Sequence, residues 1–179
     1  MLWLTERFDC GFPVDPWVIC CNTPDVQHIR VLHRIDFDSR DPGAAAEWTD
    51  HSMVYRFTGR HAMGEPLDMT VGIYGTTIFY QSAMYNGRWF GFLAPMGLPR
   101  PQQCTGFLVI AARKDEPGAE EHMRAMMDLE RRVVSEDGPV LNTIHFRPGA
   151  LTASDRTLAR FLNYLVRYPR AHPSQDFIN

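Results

Sequence analysis

Residues 21–33, CNTPDVQHIRVLH, place Asp25, His28 and His33 in one short segment. Imidazole nitrogens and carboxylate oxygens together suit a first-row transition metal. Two imidazoles and one carboxylate on one octahedral face make the ferrous site of O2-using enzymes, with positions left open for O2 and substrate. On a helix, Asp25 and His28 are three residues apart and share a face. His28 and His33 are five apart, about 140° around the helix at 3.6 residues per turn. They meet at one ion only if the helix is distorted or the second histidine lies at its end. The bland alternative is two exposed histidines on a surface helix.

Such a site needs a carboxylate from elsewhere. In RRVVSEDGPVLN, Glu136-Asp137 interrupts a helical run just before Gly138-Pro139. A helix C-terminus disfavours negative charge, so an acid pair there invites a functional reason. The Glu136-Asp137 pair is the candidate source of that ligand, with Asp128 and Glu130 as nearby acidic alternatives.

Other chemistries find little support. Cys10, Cys20, Cys21 and Cys104 form no CxxC or CxH pair. They read as reduced, mostly buried thiols, with a thiolate metal site at Cys10, Cys20 and Cys21 as the lesser reading. His51, His61, His122, His145 and His172 are isolated. Ser154-Asp155 reads as a helix start rather than part of a triad, and no Gly-rich phosphate loop exists. Net charge is −3 with mixed signs, giving no electrostatic footprint for nucleic acid. The uncharged stretches near 69–87 and 89–99 lack the unbroken apolar character of a membrane span. No apolar run follows a basic N-terminal segment, so no signal peptide is expected and the location is expected to be cytoplasmic.

The elements that must position these residues follow from periodicity. With 179 residues the chain is long enough for one domain with a full core. The first 20 residues read as short extended pieces. NTPDVQHIRVLH begins like a helix, with Thr23 as N-cap, Pro24 at the first helical position and Asp25 in the first turn. Residues 37–50 are loop-like. Segments rich in Val, Ile, Phe, Tyr and Thr over 52–112 predict an antiparallel sheet, with Asn86-Gly87 its clearest hairpin signal. Met123, Met126, Met127, Leu129 and Val133 then recur at helical spacing. A closing helix presents Leu158, Phe161, Leu162 and Leu165. The class is α+β: an antiparallel sheet gripping helices, with space for an apolar ligand. Val54, Tyr55, Phe79, Met84, Phe90 and Phe92 are candidate pocket residues.

NTPDVQHIRVLH resembles the mononuclear-iron motif of Rieske non-haem iron oxygenases, N-x2-D-x2-H-x4-H. SEDGPVL is similar to the later segment that supplies that family's carboxylate. The likeness runs over nearly the whole chain and looks nearest to the monooxygenase branch of 3-ketosteroid 9α-hydroxylase and the vanillate and dicamba O-demethylases. It implies a helix-grip, START-like catalytic domain spanning residues 1–179. It implies His28, His33 and Asp137 as ligands of one Fe(II), and Asn22 beside them. It also implies Asp25 as the acid linking the iron to a Rieske cluster on a neighbouring subunit. Cys21 stands where relatives often carry glutamate.

A complete oxygenase subunit of that family carries an N-terminal Rieske domain, whose Cys-x-His pairs are missing here. The expectation is therefore a catalytic domain taking electrons from a [2Fe-2S] cluster on a partner chain, through a Rieske ferredoxin or reductase. A homotrimer follows by family analogy. It would insert oxygen from O2 into a hydrophobic, aromatic or steroid-like molecule. The chain reads as a truncated or split subunit, or as a non-catalytic helix-grip module that binds an apolar ligand. Zinc at the same three side chains, serving a hydrolase, is a third reading.

Overall fold

The computed structural model describes residues 1–8, 12–61, 64–145 and 149–168. Cys10 and His172 lie outside the described residues. Along the chain run β1 (Leu2–Phe8), α1 (Pro16–Cys20), α2 (Val26–Val31), β2 (Ile35–Phe37), a 3-10 turn (Pro42–Ala45) and β3 (Glu47–Trp48). Then come β4 (Ser52–His61), β5 (Pro66–Tyr74), β6 (Ile78–Tyr85), β7 (Arg88–Arg100) and β8 (Gln103–Ala112). Helices α3 (Ala119–Glu136), α4 (Gly138–Leu141) and α5 (Arg156–Arg167) close the fold.

The strands form one antiparallel sheet in the order β1-β8-β7-β6-β5-β4-β2, with β3 paired to β4. Its centre is the meander β4–β8 expected over residues 52–112. Asn86 and Gly87 have φ of 50° and 73°, the left-handed pair that a tight hairpin between β6 and β7 requires. The first strand returns beside the last, Leu4 opposite Ile110. This α+β arrangement is a helix-grip fold.

Register places one set of side chains on a continuous inner face. Met53, Tyr55 and Phe57 of β4 stand opposite Ile73, Val71 and Met69 of β5. Those in turn face Phe79, Gln81 and Ala83 of β6, then Ala94, Phe92 and Phe90 of β7. Because strand side chains alternate, Val54 and Met84 fall on the other face. They are not pocket residues, and the sequence expectation is corrected there. Tyr55 does point inward, but it is consumed in the core rather than lining the cavity.

Two cores divide the inner face. Over β6–β8 lies α3, with Met123, Met126 and Met127 packed on Phe90, Phe92, Leu108 and Ile110. Over β4 and β5 lie α2 and α5, with Val26, Ile29, Phe161 and Tyr164 packed on Met53, Tyr55, Phe57 and Ile73. Helices held apart on one curved sheet leave a chamber between them.

Two local expectations change. Residues 16–20 are helical rather than extended, since Pro16 sits at the start of α1 where its missing N–H costs nothing. The N-cap of α2 is Asp25, whose Oδ1 accepts the backbone N–H of His28 at 3.0 Å; Thr23 lies outside the helix. A carboxylate is as good a cap as a hydroxyl and also favours the positive helix end.

Phe161 is completely buried whereas Val166, on the same helix, is 79% exposed. Phe161→Ala is expected to cost about 3–5 kcal/mol through transfer and cavity terms. Val166→Ala is expected to change stability by no more than about 0.5 kcal/mol. Urea unfolding of both variants checks the assignment of α5 to the core; equal costs would contradict it.

Candidate metal centre

Helix α2 stops at Val31, with Leu32 as its C-cap. His33 therefore lies just past the helix, and Arg34 takes a left-handed conformation with φ 56°. The chain thus turns the second ring back towards the first, which is the end-of-helix route that the five-residue spacing allows. The two rings meet edge to face, with centroids 4.8 Å apart.

Helix α3 brings the acid. Asp137 is its C-cap and leads directly into α4, where Pro139 cannot continue the long helix's hydrogen bonding. His28 Nε2 and His33 Nε2 are 3.0 Å apart. Asp137 Oδ1 is 3.1 Å from the first and 3.4 Å from the second. Among the described residues this is the one group of three such side chains able to share an ion. Glu136 stays outside the triangle, and Asp128 and Glu130 do not enter it.

The triangle fits a metal. Ligand atoms in neighbouring octahedral positions with bonds of about 2.1 Å stand about 3.0 Å apart, and about 3.4 Å apart in a tetrahedron. Two of the three edges match the octahedral spacing. Asp137 is 7% exposed, yet its Oδ1 makes no hydrogen bond. An acceptor orphaned this way, facing two ring nitrogens, is what a cation would satisfy.

Surrounding groups fix the three ligands. Glu136 Oε2 lies 3.1 Å from His33 Nδ1, which places a proton on Nδ1 and leaves Nε2 free to ligate. Asn22 Nδ2 donates to Asp137 Oδ2 at 3.1 Å, so only the other oxygen faces the rings. Asp25 binds the backbone of His28 rather than its ring. The buried Tyr55 hydroxyl donates to the Thr23 carbonyl at 2.7 Å, tying the approach to α2 onto β4.

Charge is balanced within the cluster. Burial works to raise the Asp137 carboxyl, but the His28 and His33 rings beside it together hold it below the usual range. Burial pulls His33 down, while Asp137 and Glu136 outweigh it and leave the ring more basic than usual. Among the described residues the cysteines take no part. Burial raises Cys20 far above an ordinary thiol and pushes Cys21 up to about 12, so both stay protonated and poor as ligands.

All three candidate ligands line a chamber of about 570 Å3, within the range of small-molecule sites. Its walls are largely apolar; Phe57, Val71, Phe79, Phe90 and Phe92 contribute. Within those walls stand the buried polar side chains Gln81 and Glu130, 7% and 4% exposed, joined by a hydrogen bond from Gln81 Nε2 to Glu130 Oε1. Neither was singled out from sequence as a chamber residue. The signal existed: Glu130 continues the stripe of Met123 and Met127, a charged residue at an apolar position of an amphipathic helix.

No protein-family model matches the chain, and no curated protein matches it in sequence. Similarity appears in solved structures. A protein from Mesorhizobium loti superposes with TM-score 0.57 at 9% identity, covering 81% of this chain and all of its own. NdmA of Pseudomonas putida CBB5, solved with caffeine, gives 0.56 at 14% identity, over 92% of this chain and 51% of its own. NdmB of the same organism gives 0.53 at 13% identity, over 90% and 48%. The chain thus spans about half the length of NdmA and NdmB. At these identities the likeness is one of fold. No described helix is long and apolar enough to cross a membrane.

Glu130 generates a pH prediction. Burial raises its carboxyl to about 8 from 4.5, although the Gln81 hydrogen bond and the nearby His33 pull the other way. Between these values the folded chain keeps a proton that the unfolded chain has lost, so stability falls as pH rises through the window. Glu130→Gln removes the titration. Its stability relative to the parent should climb from pH 4.5 to pH 8 and level off above, read by urea unfolding with a chelator present. Parallel pH profiles would contradict it.

Proposed function

We propose that the chain is the mononuclear-iron catalytic domain of a Rieske-type oxygenase, acting on a hydrophobic small molecule held in the chamber. The observation that carries this is the triangle of His28, His33 and Asp137 opening on an apolar cavity. The sequence resemblance of NTPDVQHIRVLH and SEDGPVL to that family's motifs supports it. NdmA, similar in fold, is solved with caffeine, a small molecule of the size class this chamber admits.

In this reading His28 and His33 bind through Nε2 and Asp137 through Oδ1. Ferrous iron held by these three residues would supply O2 activation, the chemistry that puts one oxygen atom into a substrate C–H bond and, with two electrons and two protons, releases the other as water. Glu136 keeps the proton on His33 Nδ1, and Asn22 restrains the outer oxygen of Asp137. Asp25 fixes the backbone under His28, and by the family resemblance it would be the acid that links this site to a partner's cluster. The apolar walls orient substrate and keep bulk water from the reacting carbon. The sequence has no Cys-x-His pair, so the [2Fe-2S] cluster delivering electrons belongs outside these 179 residues. A Rieske ferredoxin or reductase is the proposed partner, and a homotrimer the proposed assembly.

A second reading is a non-catalytic module that binds an apolar ligand. The Mesorhizobium loti structure favours it, because the shared fold accounts for the whole of that chain.

Metal content of protein purified without oxygen and supplied with Fe(II) separates the two. The oxygenase reading expects about one iron per chain, lost in His28→Ala, His33→Ala and Asp137→Ala alike. Glu136→Gln should retain the site but weaken it about 10–100-fold. Protein that takes up no iron yet binds a hydrophobic probe would establish the binding module instead. Tight stoichiometric zinc would point to hydrolysis.

A further inference from the structure

We infer that the Gln81–Glu130 pair is a polar anchor of the chamber, and that the ligand is an elongated, mostly apolar molecule carrying a hydrogen-bonding oxygen at one end. This rests on the reading of the cavity as a ligand chamber, and it does not depend on which metal, if any, the triangle holds.

The first support is the count of hydrogen bonds. Gln81 offers two N–H groups and a carbonyl, and Glu130 two oxygens. The bond between them is the one that either side chain makes among the described residues. Both side chains are more than nine-tenths buried, and both line the chamber. Polar groups buried with spare capacity cost stability, and an apolar pair of similar volume would pack this wall without that cost. A ligand oxygen supplies the missing partner.

Protonation narrows the class. Glu130 sits among Met126, Met127 and Leu129 and meets no cationic side chain in an ion pair among the described residues. Desolvation there favours the protonated carboxyl. The O–H left over donates to an acceptor oxygen, and the Gln81 carbonyl can accept from a neighbouring N–H or O–H. Arg34, His61 and Arg132 also line the chamber, so this pair fixes the hydrogen-bonding end of the ligand and not its net charge.

Position supplies the length. Glu130 and Asp137 are seven residues apart along α3 and its C-cap, hence on one helix face and about 10 Å apart along the axis. A molecule held by its oxygen at Glu130 and extending along that face lays its hydrocarbon body towards the triangle. The anchor would then choose which carbon lies there, so Gln81 and Glu130 are positioning residues and not catalytic ones.

Equilibrium dialysis of metal-free protein against 4-acetylbiphenyl and its isostere 4-isopropylbiphenyl tests the anchor. The ketone should bind about tenfold or more tightly than the hydrocarbon, and Glu130→Leu and Gln81→Leu should bring the two affinities together. Glu130→Gln should keep most of the preference, which a merely structural role for the pair would not require. Equal affinities in the parent protein, or binding of neither probe, would overturn the inference. Because the dialysis uses metal-free protein, ketone selectivity in a chain that separately takes up no iron would uphold the anchor while the oxygenase reading fails. Iron uptake without selectivity would do the reverse.

Discussion

A carboxylate buried against two imidazoles is the constraint on which the site depends. Asp137 stands at the C-terminal end of a long helix, where the backbone already concentrates partial negative charge. Out of water, such a group must acquire positive charge from somewhere, either protons on the rings or a cation between them. His28 and His33 are the groups within reach, and they come from a segment more than one hundred residues earlier. The end of α3 and the end of α2 are therefore locked together by electrostatics. Tyr55, bonded to the backbone before α2, passes that constraint to the middle of the sheet.

The chamber follows from the same geometry. Helix α3 is pinned over β6–β8 by its methionines, while α2 and α5 are pinned over β4 and β5 by a separate aromatic core. The two groups touch at the metal triangle, and between them the inner face of the sheet has no helix to pack against. Aromatic rings line this gap instead of filling it. A ligand site placed between two independently packed cores can be varied without removing the contacts that hold either core.

Much of the fold was legible because its periods are plain. The hairpin at Asn86-Gly87, the run of strands and the methionine stripe each carry a local physical cause that needs no distant partner. The segment of the candidate ligands stood out in another way, through residue types whose spacing resembles a family motif, and His33 lies just past the helix, where that spacing becomes workable. What the sequence left open was set by long-range register. Val54 and Met84 are as apolar as Phe90 and Phe92, and only the pairing of β4 with β5 and β6 with β7 assigns each to a face. The N-cap of α2 was misplaced because Thr23 and Asp25 are both good caps, and tertiary contact at Thr23 decided between them. Asn22 and Glu136 find their partners across more than one hundred residues, a separation over which local pattern carries no information.

Helix α3 joins these levels. Met123, Met127, Glu130, Val134 and Asp137 follow one another at intervals of four, three, four and three, so they form a single stripe. Along that stripe the environment changes from packed core at Met123 and Met127, to chamber wall at Glu130, to the candidate metal ligand at Asp137. A hydrophobic helix face ordinarily serves only to bury area. Here its first half does so, and the rigidity gained fixes the second half, where the same periodicity presents two acids at different tasks. Burial raises the Glu130 carboxyl, whereas His28 and His33 hold the Asp137 carboxyl below its usual range. Two carboxyl groups on one face of one helix are thus shifted in opposite directions by their surroundings.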